Sequence, residues 1–362
     1  MFDLRHYVPI LKWKRAEQGA LKALREDQKK YITPLIQFVM PKSKPGKTIE
    51  DVITKFEQQL LQLPKKIIEA WGINPVFIDV SLLYTTSLKA ESIKSILMTG
   101  YKLGGFFIPV IYLNDDQKIK DIACSLAKKT KSGICLRLIS PDFSDLTKLN
   151  RDIDNLISSN TLMVKDIDLL VDIKEIEDNN GNKYIKYFEL SQGISNLTKW
   201  RTFIFASGSF PKNLSQCKID EENLISRIDW KCWKEQINSK KIKRKPSFAD
   251  YTIQYPIYEE TYQFYHPTSS IKYTLEDYWL IMKGQRQKFG QYLAHAATLV
   301  KDKRYYGEKF SEGDKYITEK ANHFSAYIKK PSVKGTGSTE TWLKAGINHH
   351  LVLVANQVAN LF

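Results

Sequence analysis

The sequence predicts a TIM-like (βα)8 barrel over residues 1–256 and an appended α+β extension over residues 257–362 that packs on it. Eight short apolar runs recur before residue 256, and successive runs start ~25–45 residues apart, enough for one crossover helix each. The runs are continuous rather than alternating, as expected of parallel strands buried on both faces. No Gly-rich dinucleotide loop occurs, which favours a closed barrel over an open doubly wound sheet.

The predicted strands cover residues 7–12, 34–39, 75–80, 106–113, 133–138, 167–173, 202–206 and 247–254. Apolar residues at helical spacing predict helices over residues 17–30, 49–71, 89–101 and 117–129. The polar stretch 178–182 (DNNGN) predicts a short β-hairpin that interrupts the sixth unit.

The extension has a different character from the barrel. It begins with an aromatic loop over residues 258–266, and an extended segment follows over residues 270–282. Helices are predicted over residues 290–300 and 339–361.

Composition restricts the class of partner more than the class of reaction. The net charge of +15 and the pI near 9.3 favour an anionic partner: nucleic acid, nucleotide phosphates or an acidic protein. A lysine-rich composition, as in proteins from AT-rich genomes, would produce the same excess of charge. No cofactor is indicated.

The cysteines and the apolar segments indicate the compartment. The four cysteines form no C-x-x-C pair, so neither a zinc ribbon nor a dithiol motif is predicted, and a reducing compartment fits best. The N-terminal segment does not have the pattern of a signal peptide, and no apolar window approaches 18 residues. We therefore expect a cytoplasmic protein without a membrane partner.

Several segments resemble one family along nearly the whole chain. These are YVPILKWKRAEQGAL and PLIQFV near the start, and SSIKYTLEDYWLIMKG, FSEGDKYI and TWLKAGINHHLVLVANQ near the end. They resemble the phage beta protein family of satellite phages and prophages. The resemblance implies a barrel-like fold, companion proteins in an anti-phage defence or superinfection-exclusion cassette, and no established enzymatic activity.

Charged residues at the predicted strand ends are the main candidates for a site, because TIM barrels bind their ligands at the C-terminal ends of the strands. Three carboxylates around one arginine would suit a divalent metal, a phosphate or a guanidinium-bearing peptide. A structural ion-pair network near the rim is the alternative. The catalytic candidates are Asp79, Arg137, Asp172, Asp250 and Tyr251, and Lys12 and Lys174 are candidates for ligand binding.

Two loops with small residues are further anion-binding candidates. The first follows the seventh strand and contains Ser207, Gly208, Ser209 and Lys212; an ordinary turn explains it equally well. The second, residues 334–339, precedes the terminal helix, where a simple N-cap is the alternative. His349 and His350 are neighbours on that helix and should face different directions, one towards the core, which excludes a shared zinc site.

Basic residues cluster at both ends of the predicted barrel. The run at 240–245 (KKIKRK) precedes the last strand, so we interpret it as a solvated loop or as a docking point away from the site. Other basic residues follow the first two strands and belong to the strand C-terminal face, which favours a phosphate-bearing ligand there: Lys12, Lys14, Arg15, Lys42, Lys44 and Lys47.

Two functional hypotheses follow from these features. In the first, the protein is a non-enzymatic sensor or regulator of a defence cassette, and its barrel binds a companion protein or a phosphate-bearing ligand such as a nucleotide or nucleic acid. In the second, it is a hydrolase of nucleotides or phosphodiesters, in which strand-end carboxylates act as metal ligands or general bases and Arg137 stabilises charge. No histidine lies at a predicted strand end, which favours the first hypothesis.

Overall fold

The computed structural model describes residues 3–43, 46–178, 180–239, 242–259, 268–332 and 334–361. Eight parallel strands of this part of the chain close into a barrel, as predicted. The described residues contain eleven strands, of which β1 to β7 and β9 form the barrel. In chain order they are β1 (Val8–Lys12), β2 (Leu35–Gln37), β3 (Val76–Asp79), β4 (Phe107–Ile111), β5 (Ile134–Ile139), β6 (Ile167–Glu175), β7 (Thr202–Gly208), β8 (Glu222–Ser226), β9 (Ser247–Asp250), β10 (Ile271–Thr274) and β11 (Tyr278–Met282).

The α-helices alternate with the barrel strands and continue into the extension. They are α1 (Arg15–Lys22), α2 (Glu26–Lys29), α3 (Ile49–Leu60), α4 (Leu63–Trp71), α5 (Thr86–Lys102), α6 (Gln117–Thr130), α7 (Leu146–Ser159), α8 (Asn182–Ser191), α9 (Ile228–Gln236), α10 (Gln291–Leu299), α11 (Glu312–Lys329) and α12 (Thr339–Ala359).

The barrel closes between its first and last strands, where Val8 of β1 pairs with Ala249 of β9 in parallel. Side chains alternate between the two faces of each strand. On β1, Val8 and Ile10 belong to an apolar cluster inside the barrel, whereas Leu11 packs outwards into the larger core beneath the helices. This alternation decides which strand-end residues can face the mouth.

The extension contains a three-stranded antiparallel sheet of order β10–β11–β8. Strand β8 was not predicted from the sequence. It comes between the barrel strands β7 and β9 in chain order but pairs with β11, where Ile225 is opposite Trp279. Segments before and after residue 256 therefore both contribute strands to this sheet.

The terminal helix α12 contacts α1, α11 and β10 and is mostly buried. Asn348 links three elements, because its amide oxygen accepts from Gly313 N and its amide nitrogen donates to Ala20 O. The side chain of Ser338 caps α12 by accepting from Thr341 N, so the N-cap interpretation of loop 334–339 is the one that the geometry supports.

Three local predictions were wrong. Proline near the start of α4 divides the predicted helix over 49–71, because Pro64 has no N–H to continue α3. The helix predicted over 17–30 is likewise divided into α1 and α2. Around residues 178–182 the chain forms the start of α8 instead of a hairpin: Asp178 accepts from the N–H groups of Asn182 and Lys183, and Gly181 has a positive φ of 69°. Residue 179 lies outside the described residues.

None of the helices in the described ranges is long and apolar enough to cross a membrane. The four cysteines are buried free thiols.

Candidate functional site

A buried layer of polar side chains lies inside the barrel, above its apolar interior, at the C-terminal ends of the strands. Arg137 of β5 is at the centre of this layer and is fully buried. Its guanidinium pairs with Asp79 of β3 through Nη1 and with Asp172 of β6 through Nη2, at 2.6 Å in the second case. The structure thus brings these three predicted residues together.

Asp79 is surrounded by donors. Its Oδ2 accepts from Gln37 Nε2 at 3.0 Å and from the Tyr112 hydroxyl at 2.9 Å, besides Arg137. Its Oδ1 accepts from the N–H of Ser81 two residues further on, at 2.8 Å. Both oxygens are therefore engaged by the protein itself.

Asp172 has equally dense hydrogen bonding. Its Oδ2 accepts from Arg137, from the Tyr251 hydroxyl at 2.7 Å and from Lys174 Nζ at 3.0 Å. Its Oδ1 accepts from Lys174 N. Lys174 has a positive φ of 60° in the turn that this hydrogen bond closes. Burial alone would raise the pKa of Asp172, but Lys174 and Arg137 outweigh it and hold that pKa well below its ordinary value.

Two lysines flank the ring of Tyr251, which is the residue just after β9. Lys174 Nζ lies 5.4 Å from the ring centroid, and Lys12 Nζ lies 5.8 Å from it. Lys12 donates to the carbonyl oxygen of Tyr255 at 3.1 Å rather than to a carboxylate. Burial, with Lys14 nearby, lowers the pKa of Lys12 to about 8. The protein contacts of Lys12 thus offset only part of the free-energy cost of burying its ammonium.

Asp250 does not join this layer, and the expectation that it faces Arg137 across the mouth is wrong. It follows Ala249, which faces the barrel interior, so the alternation of β9 turns Asp250 outwards. There it accepts from the Tyr7 hydroxyl, and it lies 2.9 Å from His350 Nε2 on α12. Burial alone would raise the pKa of Asp250, but His350 and Tyr7 keep it lowered.

His349 and His350 are both fully buried, so the prediction that only one contacts the core was too narrow, although they do face different partners. His349 Nδ1 lies 2.8 Å from Asp314 Oδ2, and its Nε2 lies 2.8 Å from Thr274 O. His350 Nδ1 meets the hydroxyl of Thr274 at 2.9 Å. Both histidines therefore join α12 to its surroundings.

The loop after β7 does not gather its candidate residues around one point. Ser207 is fully buried, and Ser209 donates to Asp229 at 2.8 Å. Lys212 is exposed and pairs with Glu259 at 2.6 Å. Gly208 has a packing role, because a Cβ there would lie 2.6 Å from Pro256 Cγ and 3.2 Å from Tyr251 Cδ2.

The basic run at 240–245 is only partly solvated. Lys240 and Lys241 lie outside the described residues, as does Lys44 of the opposite face. Arg244 is structural: its Nη1 donates to the carbonyl oxygens of Leu197 and Trp200 at 3.0 and 2.7 Å. Neutralising the whole run would therefore disturb the fold as well as the charge.

A cleft of about 630 Å³ opens beside the barrel mouth, between the segments that follow β1, β2 and β9. Lys14, Arg15 and Lys42 line it, as expected of basic residues on the strand C-terminal face. Glu17 and Gln254 also line it, and Gln254 Nε2 donates to Glu17 Oε1 at 2.7 Å. Burial raises the pKa of Glu17.

Sequence reasoning missed several residues of this region: Gln37, Tyr112, Trp13 and Glu17. Gln37 and Tyr112 stand at or just after strand ends, as the chosen candidates do, but they carry no charge that would mark them. Within the described residues, no group of three or more His, Cys, Asp or Glu side chains could hold a metal ion.

The comparisons with known proteins concern the fold and the family. No curated protein matches the chain. Among solved structures, the chain is similar to a type I 3-dehydroquinate dehydratase from Clostridium difficile with covalently modified comenic acid, at 11% identity and a TM-score of 0.39; the match covers 70% of this chain and 87% of the other. The model of the Beta protein family matches residues 7–356. The chain therefore belongs to the Beta protein family.

Proposed function

We propose that this protein is a non-enzymatic component of a phage- or prophage-encoded cassette for anti-phage defence or superinfection exclusion. In this role the barrel mouth binds a phosphate-bearing ligand, and occupation of the mouth is sensed by a companion protein. The proposal treats the polar layer as a binding site rather than as catalytic machinery.

The observation that carries the proposal is that the acidic side chains at the mouth are fully hydrogen-bonded, whereas the Lys12 ammonium is not. Asp79 and Asp172 have both oxygens engaged by protein donors, with Arg137 between them. Among the described residues, in contrast, the Lys12 ammonium donates to one acceptor, a carbonyl oxygen, and lies within 6 Å of two aromatic rings. An anion at the mouth would complete the coordination of Lys12 and Lys174, and phosphate oxygens suit such ammonium groups.

The same hydrogen bonds argue against the hydrolase alternative. A general base or a metal ligand needs a carboxylate lone pair directed at the reacting group. The lone pairs of Asp79 and Asp172 are directed at Arg137, Tyr112, Tyr251 and backbone N–H groups. Asp250 faces α12 instead of the mouth. These carboxylates are thus placed to hold Arg137 and the two tyrosines in position.

Calorimetric titration with inorganic pyrophosphate tests the proposal. We expect the double variant Lys12→Met with Lys174→Met to bind at least about tenfold more weakly than wild type, because each charge-assisted hydrogen bond contributes about 1.5–3 kcal/mol. The matched control, Lys243→Met with Lys245→Met, removes the same charge at the other end of the barrel and retains Arg244. Equal losses in both double variants would refute binding at the mouth.

The cellular part of the proposal is tested by the efficiency of phage plating on cells that express the cassette. The Lys12 and Lys174 double variant should lose protection while accumulating to the wild-type level, and the control double variant should protect. Release of inorganic phosphate from nucleotides by the purified wild-type protein, abolished by Asp172→Asn, would support the hydrolase alternative instead.

A further inference from the structure

The cleft beside the mouth contains two buried polar atoms with no hydrogen-bond partner among the described residues. One is the indole nitrogen Nε1 of Trp13, a donor, and the other is Oε2 of Glu17, an acceptor when ionised. Trp13 is 7% exposed and Glu17 is 1% exposed, and both line the cleft. Buried polar atoms are usually paired, and each one left unpaired costs about 1–3 kcal/mol.

The other walls of the cleft combine aromatic, aliphatic and charged groups, and most of the charged groups are basic. Trp13 packs against Phe38, with ring centroids 6.4 Å apart, and Lys14 Nζ lies 4.6 Å from the centroid of the Tyr258 ring. Further basic side chains on the cleft are Arg15, Lys42 and Lys66. Its volume of about 630 Å³ lies within the usual range for a small-molecule site.

We propose that this cleft binds the base of a purine nucleotide, with the phosphates directed towards the lysines of the barrel mouth. A purine ring presents N–H donors beside nitrogen or oxygen acceptors on one planar edge, which matches an unpaired carboxylate oxygen and an unpaired indole N–H. Its faces suit the aromatic wall. The inference rests on the proposed binding of phosphate at the mouth and identifies the class of ligand.

The second oxygen of the same carboxylate explains how Glu17 is oriented. Gln254, from the segment after β9, donates to Oε1 and leaves Oε2 for a ligand. Glu17 is in the first turn of α1, the helix that follows β1. The helix backbone and Gln254 together therefore fix the position of this carboxylate. A base held here would lie close to Lys12, the last residue of β1, because Lys12 Nζ lies 5.9 Å from the ring centroid of Tyr258, which lines the cleft.

The test is calorimetric titration of the full chain with GMP, AMP, UMP, ribose 5-phosphate and pyrophosphate. Wild type should bind GMP or AMP at least about tenfold more tightly than ribose 5-phosphate, as expected for two added hydrogen bonds. It should also prefer them to UMP, because the larger purine ring covers more of the aromatic wall. Glu17→Met and Trp13→Phe should each remove about tenfold of that purine affinity and leave pyrophosphate binding within about twofold. Glu57→Met, on the exposed face of α3, is the matched control and should bind as wild type.

A stability measurement separates loss of a ligand contact from loss of folding. Glu17→Met should melt at or above the wild-type temperature without ligand, because removing a buried carboxylate oxygen that lacks a partner offsets the lost hydrogen bond from Gln254. Equal affinity for purine nucleotides and ribose 5-phosphate, or purine affinity that neither variant changes, would overturn this inference and leave the proposed function standing. Failure of wild type to bind pyrophosphate and every nucleotide would overturn both.

Discussion

His350 Nε2 lies 2.9 Å from Asp250 Oδ2, so the terminal helix is hydrogen-bonded directly to the last strand of the barrel. Because the Asp250 carboxylate can only accept, Nε2 donates to it, and Nδ1 of the neutral ring accepts from the Thr274 hydroxyl. Burial lowers the pKa of His350, in agreement with that neutral state. Asp250 therefore belongs to the junction between barrel and extension, not to the mouth.

The substitution Asp250→Asn should lower stability and leave ligand binding intact. It removes the charge that accepts from Tyr7 and His350, and hydrogen bonds to a charged group contribute about 1.5–3 kcal/mol each. We expect a loss of about 2–4 kcal/mol in urea unfolding, with unchanged pyrophosphate affinity. Wild-type stability combined with lost affinity would return Asp250 to the binding site.

Removing Arg137 should have a larger effect than removing any one of its partners. Arg137→Met leaves Asp79 and Asp172 buried without their shared cation, which should cost about 3–5 kcal/mol. Adding Asp172→Asn to that variant should restore part of the loss. A double-mutant cycle by urea unfolding measures the coupling, and strictly additive effects would contradict the pairing.

Asp229 should make the stability depend on pH. Burial, with Asp250 nearby, raises its pKa from 3.8 to about 6, so the folded chain holds a proton more tightly than the unfolded chain. This contribution is present at low pH and is lost as the pH rises from about 4 to about 6. The advantage of wild type over Asp229→Asn should decline across that interval in urea unfolding. A constant difference would show that the carboxyl does not titrate there.

Gly208→Ala should displace Tyr251. The added methyl group would lie 2.6 Å from Pro256 and 3.2 Å from the Tyr251 ring, and overpacking of this kind costs about 1–3 kcal/mol. Because Lys12 Nζ and Lys174 Nζ both lie within 6 Å of the Tyr251 ring centroid, pyrophosphate affinity should fall together with the melting temperature. Unchanged values of both would mean that the ring can move without affecting the mouth.

The barrel was predictable because its strands are continuous apolar runs at crossover spacing, a pattern that follows directly from burial on both faces. The cluster of Asp79, Arg137 and Asp172 was predictable for a related reason, since charges within such runs must find partners inside the barrel. Sequence alone did not indicate on which face Asp250 lies. That depends on the register of a four-residue strand, and a shift of one residue exchanges inside for outside.

Other features depend on tertiary contacts that no local pattern contains. Strand β8 has exposed and half-buried residues and forms only because β11 offers it an edge. Glu17 has the pattern of an ordinary residue in the first turn of a helix, and only the packing of Gln254 and the surrounding cleft distinguishes it. At residues 178–182 the Asp178 carboxylate accepts from the first N–H groups of α8, whereas the Asn-Gly pair alone is compatible with a hairpin or a helix start.

A crystal structure of the protein soaked with pyrophosphate tests the central claim most directly. We expect the anion at the C-terminal ends of the strands, within hydrogen-bond distance of Lys12 Nζ and Lys174 Nζ, with the pairs of Arg137 to Asp79 and Asp172 retained. Pyrophosphate bound instead at residues 242–245, or an empty mouth at saturating concentration, would contradict the account.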